Sequence, residues 1–414
     1  MARNDEPALH FVFLQGMPSP FFTRIGRQLA DLGCRVTGIN LCFGDQLFWR
    51  GPARVNYRGR LADWPDFLRR FLQGENVTDI VLLGEQRHYH KEAVKIAQSC
   101  GVRVTVTDYG YLRPDWITLE RDGMGGNSCF PKDPEEIRRL ATDVPLPEKN
   151  RQYLDSTFTM AVGDLAYSFG NVLFWWLYPH YRKSYVRPHP LIYFPAMGFQ
   201  LLLRNLNRDR AFARAEAIAE DGRRYFLFPL QLEHDFQIVA YSPFDKLDDA
   251  IHLVLSSFAR HAPADSRLVI KVHPWDPGLR NWRRLVAVES RNLGLDDRVI
   301  YLDGGNLDVL IRGAAGMVTV NSTSGVQALQ SGCPVTLLGQ ASYDIDGLVH
   351  RGGLDTFWLD PLQPDAELAM ALVRALSATI QVRGVFFDDP GLDVAVRQVT
   401  TRLFHGNVGA KLTV

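Results

Sequence analysis

The first third of the chain alternates short apolar runs with longer amphipathic segments. Runs such as Phe11–Leu14 and Asp79–Leu83 are rich in β-branched and aromatic residues and predict buried strands. Segments such as Phe21–Leu32 and Trp64–Leu72 have helical periodicity and predict helices that cover those strands. Strands that alternate with helices in this way indicate a parallel sheet wrapped by helices.

The second half of the chain repeats this alternation. Its predicted strands are Tyr225–Pro229, Arg267–Val272, Val299–Leu302, Gly316–Val320 and Pro334–Leu338. We therefore predict an α/β protein with a Rossmann-like N-terminal domain (1–150) for the acceptor and a Rossmann-like C-terminal domain (223–414) for the donor. The connecting segment (151–222) is rich in aromatic and basic residues and is predicted to be mainly helical. Two such domains are expected to face each other across a cleft lined by the carboxyl ends of both sheets.

Composition narrows the function classes. Lys plus Arg and Asp plus Glu number 46 each, so no global field favours a nucleic-acid partner. The five cysteines are scattered and form no zinc-binding motif, which fits a reducing cytoplasm. No signal-peptide pattern is recognised, and the apolar stretch Ala166–Tyr181 is shorter than the about 20 residues that a spanning helix needs. The sequence therefore predicts a cytoplasmic protein.

The strongest motif is a turn of small polar residues that follows the strand Gly316–Val320. Asn321, Ser322, Thr323 and Ser324 can present N–H groups, hydroxyls and a helix N-terminus to a phosphate. The alternative is an ordinary Ser/Thr helix cap.

Two further strand ends of the second half carry polar residues. Lys271 and His273 stand at the end of one strand, where either can neutralise a phosphate or assist a leaving group. After Tyr225–Pro229 come Gln231 and a cluster of Glu233, His234 and Asp235, in which a carboxylate can act as nucleophile, base or acceptor of a sugar hydroxyl. The alternatives are a structural histidine and a polar capping loop.

In the N-terminal half, acids, Arg, His and aromatic residues follow two consecutive strands. This mixture binds sugars by hydrogen bonding and stacking, although solvated turns have similar composition. The predicted acceptor-binding residues are Glu85, Arg87, His88, His90, Tyr111 and Arg113, with Asp108 beside them. The chain has no P-loop and no G-x-G-x-x-G motif, which argues against ATP or a dinucleotide cofactor, and it has no H-E-x-x-H or G-x-S-x-G motif.

Several of these motifs carry a family resemblance that covers most of the chain. They are Leu14-Gln-Gly with Pro20-Phe-Phe, Ile39-Asn40 to Asp45, Leu47-Phe-Trp49, Arg87 to His90, Gly110 to Glu120, Gln231 to Ile238, Lys271 to Pro274 and Asn321 to Gly325. The chain resembles the KpsS-type capsular polysaccharide biosynthesis proteins of bacteria, which are retaining β-Kdo glycosyltransferases.

The resemblance implies a GT-B-like fold, CMP-Kdo as the donor, no metal, and a phosphatidylglycerol-type lipid as the acceptor. It implies that Asp235 forms a covalent sugar adduct and that His273 and Asn321 to Ser324 bind the nucleotide and its phosphate. The resemblance implies a catalytic acid/base at the position of Asp108, where relatives have Glu. In this chain the carboxylate at that position has a shorter side chain. Other readings are another nucleotide-sugar transferase, an epimerase, or a non-catalytic component of a capsule export complex.

The middle of the chain predicts contact with a membrane surface. Basic residues outnumber acids between 182 and 214, and aromatic residues precede them. The basic residues are Arg182, Lys183, Arg187, Arg204, Arg208, Arg210 and Arg214; the apolar ones are Phe174, Trp175, Trp176, Tyr178 and Leu201 to Leu203. We expect peripheral binding to the inner face of the inner membrane, with other capsule biosynthesis or export proteins as further partners. The alternative places the aromatic residues in the core and the arginines on a solvated helix face.

Overall fold

A computed structural model describes residues 9–148, 150–183, 187–232 and 236–411 of the chain. It forms two compact units. The first unit comprises Met1–Phe130, Pro147–Tyr185 and Leu376–Val414, and the second comprises Pro131–Leu146 and Val186–Ala375.

The described residues form strands and helices that alternate along most of the chain. The strands are β1 (His10–Phe13), β2 (Arg35–Asn40), β3 (Ala53–Asn56), β4 (Asp79–Leu83), β5 (Arg103–Tyr109), β6 (Trp116–Arg121), β7 (Tyr225–Pro229), β8 (Arg267–Lys271), β9 (Val299–Leu302), β10 (Gly316–Thr319), β11 (Val335–Leu337), β12 (Val349–His350) and β13 (Gln381–Arg383). The helices are α1 (Phe21–Asp31), α2 (Phe43–Phe48), α3 (Trp64–Gly74), α4 (His88–Ser99), α5 (Pro134–Ala141), α6 (Thr157–Leu173), α7 (Pro190–Leu206), α8 (Arg208–Glu220), α9 (Phe236–Tyr241), α10 (Leu247–His261), α11 (Trp282–Asn292), α12 (Leu307–Gly313), α13 (Ser324–Gln330), α14 (Leu354–Phe357), α15 (Ala366–Ala378) and α16 (Gly391–Phe404). Short 3-10 helices lie at Leu61–Asp63, Gly125–Asn127 and Trp175–Leu177.

Each unit is built around one sheet. The first sheet has the order β13-β6-β5-β4-β1-β2-β3, in which β6 is antiparallel to both of its neighbours and the other pairs are parallel. The second has the order β12-β11-β10-β7-β8-β9 and is parallel throughout. The carboxyl ends of the parallel strands therefore share one edge in each sheet, where α/β folds bind ligands.

The central strands are the apolar runs seen in the sequence. Every residue of β4 and of β7 is buried, as expected for parallel strands covered by helices on both faces. In the first unit, the Phe21 ring of α1 meets Phe386 edge to face, with 4.9 Å between the ring centroids. The mixed α/β class with two Rossmann-like units is the class predicted from the sequence.

The division of the chain differs from the predicted boundaries. The connecting segment 151–222 is not a separate part, because α6 belongs to the first unit and α7 and α8 belong to the second. The last residues, from Leu376 onward, return to the first unit because β13 pairs with β6 and α16 packs on α1. These contacts join residues far apart in sequence, which local patterning does not reveal.

Among the described residues, no helix combines the length and the apolar character that crossing a bilayer requires.

Candidate functional site

Three strand ends of the second sheet carry the polar residues singled out in the sequence. In the sheet, β7 lies between β10 and β8. Gln231, two residues beyond β7, donates from Nε2 to Asn321 Oδ1 at 3.0 Å, and its Oε1 accepts from Asn321 N at 3.2 Å. Both residues are buried. The loops after β7 and β10 are thus joined directly at the carboxyl edge.

The hydroxyl turn after β10 makes many of its hydrogen bonds internally. Ser322 Oγ accepts from Ser324 N at 3.2 Å and from Ser324 Oγ at 2.9 Å, while Ser322 N donates to Thr319 Oγ1 at 3.1 Å. Helix α13 begins at Ser324 and is only seven residues long, and no side chain caps it. A phosphate at this turn would therefore be bound by exchanging these internal bonds rather than by a long helix dipole.

A buried tyrosine fixes the shape of the same turn. The Tyr343 hydroxyl donates to the carbonyl oxygen of Ser322, and its ring lies over Gly325. A Cβ atom on Gly325 would lie 2.1 Å from that hydroxyl oxygen. Glycine is therefore required by the close approach of the ring.

At the end of β8, Lys271 is a buried cation with only 6% of its surface exposed. Burial, and next the positive charge of Arg204, lower the pKa of its ammonium group to about 8. Two residues on, His273 Nδ1 accepts a hydrogen bond from Trp275 N at 3.1 Å. In a neutral ring the proton must then be on Nε2, because a nitrogen that accepts from an N–H group carries no proton.

Arg204 is a residue of this site that the sequence analysis assigned elsewhere. Its guanidinium donates from Nη1 to the carbonyl oxygen of Pro274, beside His273. The signal was present in the sequence: Gln200 and Arg204 are one helical turn apart in the mainly apolar helix α7.

The predicted nucleophile, Asp235, and its neighbours Glu233 and His234 lie outside the described residues. Their predicted roles stay predictions.

In the first unit, Glu85 follows β4 and is only 3% exposed. Burial raises the pKa of its carboxyl to about 7, against hydrogen bonds from the backbone and from Gln86, and the charge of Asp108 adds a smaller upward effect. Its Oε1 is buried and has no hydrogen-bond partner among the described residues. Glu85 can therefore hold a proton near neutral pH.

A second buried carboxyl stands behind Glu85. Glu120 Oε1 accepts from the Tyr111 hydroxyl at 2.7 Å, and Oε2 accepts from the Ser128 hydroxyl. Burial raises the pKa of Glu120 to about 8. Tyr111, predicted to contact the acceptor, is itself buried and bonded to Glu120 and Gly125 N, so it supports the site from within.

His90, also predicted to contact the acceptor, lies in the interior. Its Nδ1 is 3.0 Å from the Leu83 carbonyl oxygen and 2.8 Å from that of Gly84, so this nitrogen must carry the proton. Burial lowers the pKa of the ring to about 3, which keeps it neutral. His90 therefore fixes the turn that carries Glu85 and presents no surface to a ligand.

The remaining predicted residues of this edge are more accessible. His88 and Arg113 are exposed, and Arg87 and Asp108 are partly buried. Burial raises the pKa of Asp108, while Arg87 and Arg113 oppose the rise. The Arg113 guanidinium lies 5.2 Å from the ring centroid of Tyr109. This group can bind an anionic or hydroxylated ligand.

Two residues of the N-terminal family motifs form a separate buried network. Gln15 Nε2 donates to both oxygens of Asp45, at 3.2 and 3.1 Å, and the Tyr167 hydroxyl of α6 donates to Asp45 Oδ1 at 3.0 Å. Asp45 also accepts from the N–H groups of Leu41 and Cys42. The carboxylate is fully engaged, so we assign it to holding α2 and α6 beside the sheet.

In the segment predicted to contact a membrane, some side chains are exposed and others are bound by protein groups. Trp175 and Trp176 are 63% and 54% exposed, whereas Tyr178 is buried and donates to Gln46 Oε1 at 2.8 Å. Arg187 lies 4.6 Å from the ring centroid of Tyr193. Together with Arg204, it is engaged by protein groups rather than displayed as a solvated cation.

Among the residues that the structure describes, no group of three His, Cys, Asp or Glu side chains is placed to hold a metal ion.

The fold and the site define a class: a two-unit α/β protein with polar residues at the carboxyl edges of its parallel strands. Comparison with known proteins then gives the family. The chain belongs to the capsule polysaccharide biosynthesis protein family, whose model matches residues 78–387. The resemblance seen in the sequence is thereby confirmed at the level of the family, and the protein takes part in capsule polysaccharide biosynthesis or modification.

Individual relatives agree over nearly the whole chain. The chain is 31% identical over 384 residues to the capsule polysaccharide export protein KpsS of Escherichia coli, covering 91% of this chain and 96% of that protein. It is 31% identical over 401 residues to the capsule polysaccharide modification protein LipB of Neisseria meningitidis serogroup A, covering 92% of each. Among solved structures it is similar to the β-Kdo 2,7 transferase KpsC of Thermosulfurimonas dismutans, with a TM-score of 0.47 and 15% identity over 96% of this chain and 99% of that one.

Proposed function

We propose that the protein is a retaining β-Kdo glycosyltransferase that moves Kdo from CMP-Kdo to phosphatidylglycerol, its lyso form or another lipid-linked acceptor. One observation carries the proposal. In a chain of the capsule family, Gln231, Lys271, His273 and the turn Asn321 to Ser324 share the carboxyl edge of one parallel sheet. Hydrogen-bonding groups and cations at such an edge suit a nucleotide phosphate.

On this proposal the donor is opened in two displacements. The carboxylate of Asp235 attacks the anomeric carbon of Kdo as the bond from that carbon to the phosphate oxygen breaks, and CMP leaves with the electron pair. Lys271 and His273 stabilise the negative charge on the departing phosphate. The acceptor hydroxyl then attacks the same carbon, releases Asp235 and gives up its proton, so two inversions yield retention.

The acceptor is assigned to the edge of the first sheet. Arg87, His88 and Arg113 supply cations and donors for an anionic headgroup, and Asp108 takes the proton of the attacking hydroxyl. Glu85 is a hydrogen-bond donor to the acceptor when it is protonated. His90 and Tyr111 act behind these residues, by fixing the turn after β4 and the position of Glu120.

A lipid acceptor requires contact with a bilayer, and α6 offers an apolar face for it. Its exposed apolar side chains recur at helical spacing and continue into the two exposed tryptophans. They are Phe158, Val162, Phe169 and Leu173. Arg182 and Lys183 follow and are exposed, so cations flank the apolar surface. Aromatic residues beside cations suit the surface of an anionic bilayer.

Two assays test the transferase. Incubation with CMP-Kdo alone, followed by mass spectrometry of the peptide Tyr225–Phe244, should show one Kdo on Asp235. Incubation with CMP-Kdo and lyso-phosphatidylglycerol should give the Kdo-lipid and free CMP. An adduct on Glu233, two residues away, would move the nucleophile, and full transfer by Asp235→Ala would refute the covalent mechanism.

Two other functions remain distinguishable by binding. A non-catalytic component of an export complex would bind neither CMP nor CMP-Kdo in calorimetry. Another nucleotide-sugar transferase or an epimerase would bind or turn over UDP-sugars in preference to CMP-Kdo.

A further inference from the structure

Two cations stand together at the carboxyl end of β8. Lys271 is the last residue of the strand, and Arg204 is the charged neighbour that most affects it. Arg204 is half-buried, and its Nε is buried without a hydrogen-bond partner among the described residues. Like charges held close together in a partly dry site raise each other's free energy.

Contacts between α7 and the loop after β8 determine the position of Arg204. Gln200, one turn earlier in α7, packs so closely on the loop after β8 that a Cβ atom on Gly278 would lie 2.0 Å from its Nε2. Arg204 then donates to the Pro274 carbonyl of the same loop. The two contacts fix the guanidinium at the end of β8.

The acids nearby are already engaged. Asp276 accepts from Gly278 N at 2.8 Å and from Trp282 Nε1 at 2.9 Å, and Asp303 pairs with Arg283. Both acids favour the charged form of Arg204, yet burial is the larger effect and lowers its pKa. The positive charge of Lys271 and Arg204 is therefore not fully neutralised by these acids, so the pair can bind a further anion.

We propose that Arg204 and Lys271 together bind an anionic group of the donor, either its phosphate or the carboxylate of its sugar. This inference rests on the proposed function and assigns to the donor a residue that lies outside the family motifs quoted above. The guanidinium offers N–H groups in one plane to an oxyanion, and the ammonium adds a compact charge. An anion between them offsets their mutual repulsion.

The test is calorimetric titration of the full-length protein with cytidine, CMP and CMP-Kdo. Arg204→Met keeps an unbranched side chain of similar reach without the charge. We expect this variant to bind the anionic ligand about ten- to a hundredfold more weakly, the loss typical of a charge-assisted hydrogen bond. Weaker binding of both CMP and CMP-Kdo assigns the pair to the phosphate, whereas weaker binding of CMP-Kdo alone assigns it to the carboxylate.

Controls separate charge from structure. Arg312→Met removes an exposed arginine from the last turn of α12 and should leave the affinities for cytidine, CMP and CMP-Kdo unchanged. Arg204→Lys should restore part of the lost affinity, and cytidine binding should be the same in every variant. Because Arg204 also lowers the pKa of Lys271, Arg204→Met should move the alkaline limit of CMP binding to higher pH.

The results also separate this inference from the function on which it rests. If the unaltered protein binds neither CMP nor CMP-Kdo, the proposed function fails. If it binds them and Arg204→Met and Lys271→Met bind equally well, only the assignment of the two cations is overturned.

Discussion

Gln231 and Asn321 exchange two hydrogen bonds, so the loops after β7 and β10 are tied together by one buried amide pair. Each member satisfies a polar group of the other in a place that water does not reach. The pair therefore determines where the hydroxyl turn stands relative to the end of β7.

Gln231→Ala removes both of these buried hydrogen bonds. We expect a loss of about 1–3 kcal/mol in the free energy of unfolding, because each hydrogen bond contributes about 0.5–1.5 kcal/mol, and we expect weaker CMP binding. Urea unfolding and calorimetry measure the two effects. Gln73→Ala, at an exposed glutamine of α3, is the control, and unchanged CMP affinity in Gln231→Ala would separate the pair from the donor site.

Gly325→Ala tests the turn itself. The added methyl group would overlap the Tyr343 hydroxyl, so the ring must move and its bond to Ser322 must break. We expect CMP binding to fall by at least tenfold, about 1.4 kcal/mol, and the melting temperature to decrease. Gly198→Ala is the matched control, since a Cβ there meets no atom within 4 Å and α7 should gain helix propensity.

The buried carboxyls of the first unit predict a pH dependence of stability. The pKa values of Glu85 and Glu120 are raised from 4.5 to about 7 and about 8, so the folded state binds more protons than the unfolded state between these limits. Stability should therefore fall as pH rises through this range, by up to about 1.4 kcal/mol per pH unit for each carboxyl.

Thermal unfolding between pH about 6.5 and about 8 measures this dependence of stability on pH. Below that range, burial of neutral His90 makes stability rise with pH, which would oppose the effect of the two carboxyls. Glu120→Gln keeps most of the shape and removes one ionisable group, so its slope should be smaller. Glu220→Gln, at an exposed residue of α8, should leave the slope unchanged. Equal slopes in all three proteins would contradict the pKa assignment of Glu120.

The apolar face of α6 predicts binding to anionic vesicles. Replacing Trp175 and Trp176 with Ser removes the two exposed indoles, and flotation with phosphatidylglycerol vesicles should recover less protein. Binding of the unaltered protein should weaken with salt, because each cation near the surface contributes about 1 kcal/mol that salt screens. Leu359→Ser, at another exposed apolar residue, is the control. If vesicle binding changes neither with salt concentration nor on replacement of the two tryptophans, α6 and these residues are not the membrane-binding surface.

The strands that carry the site could be predicted because their signal is local. Three strands have the predicted bounds because most of their residues are apolar and favour β-structure; they are Asp79–Leu83, Tyr225–Pro229 and Val299–Leu302. Their order then brings Gln231 and Asn321 together, as expected for neighbouring carboxyl ends.

What sequence reasoning missed depends on contacts between distant segments. A histidine after a strand can point inward or outward, and only the packing of α4 shows that His90 points inward. The sequence analysis grouped Arg204 with the cations near it in sequence. In the structure, Arg204 donates a hydrogen bond to the carbonyl oxygen of Pro274, which is distant in sequence. Strand β13 has three residues, too few for any periodicity to be recognised.

The return of β13 and α16 to the first unit has a consequence for synthesis on the ribosome. Strands β1 to β6 are synthesised before β13, their edge partner, and α16, the helix that packs on α1; β13 begins about 260 residues after the end of β6. Until then β6 is an open edge and the apolar face of α1 lacks its partner. The first unit is therefore completed only after the second has been synthesised, so a nascent protein halted within the second unit would expose the surfaces that chaperones recognise.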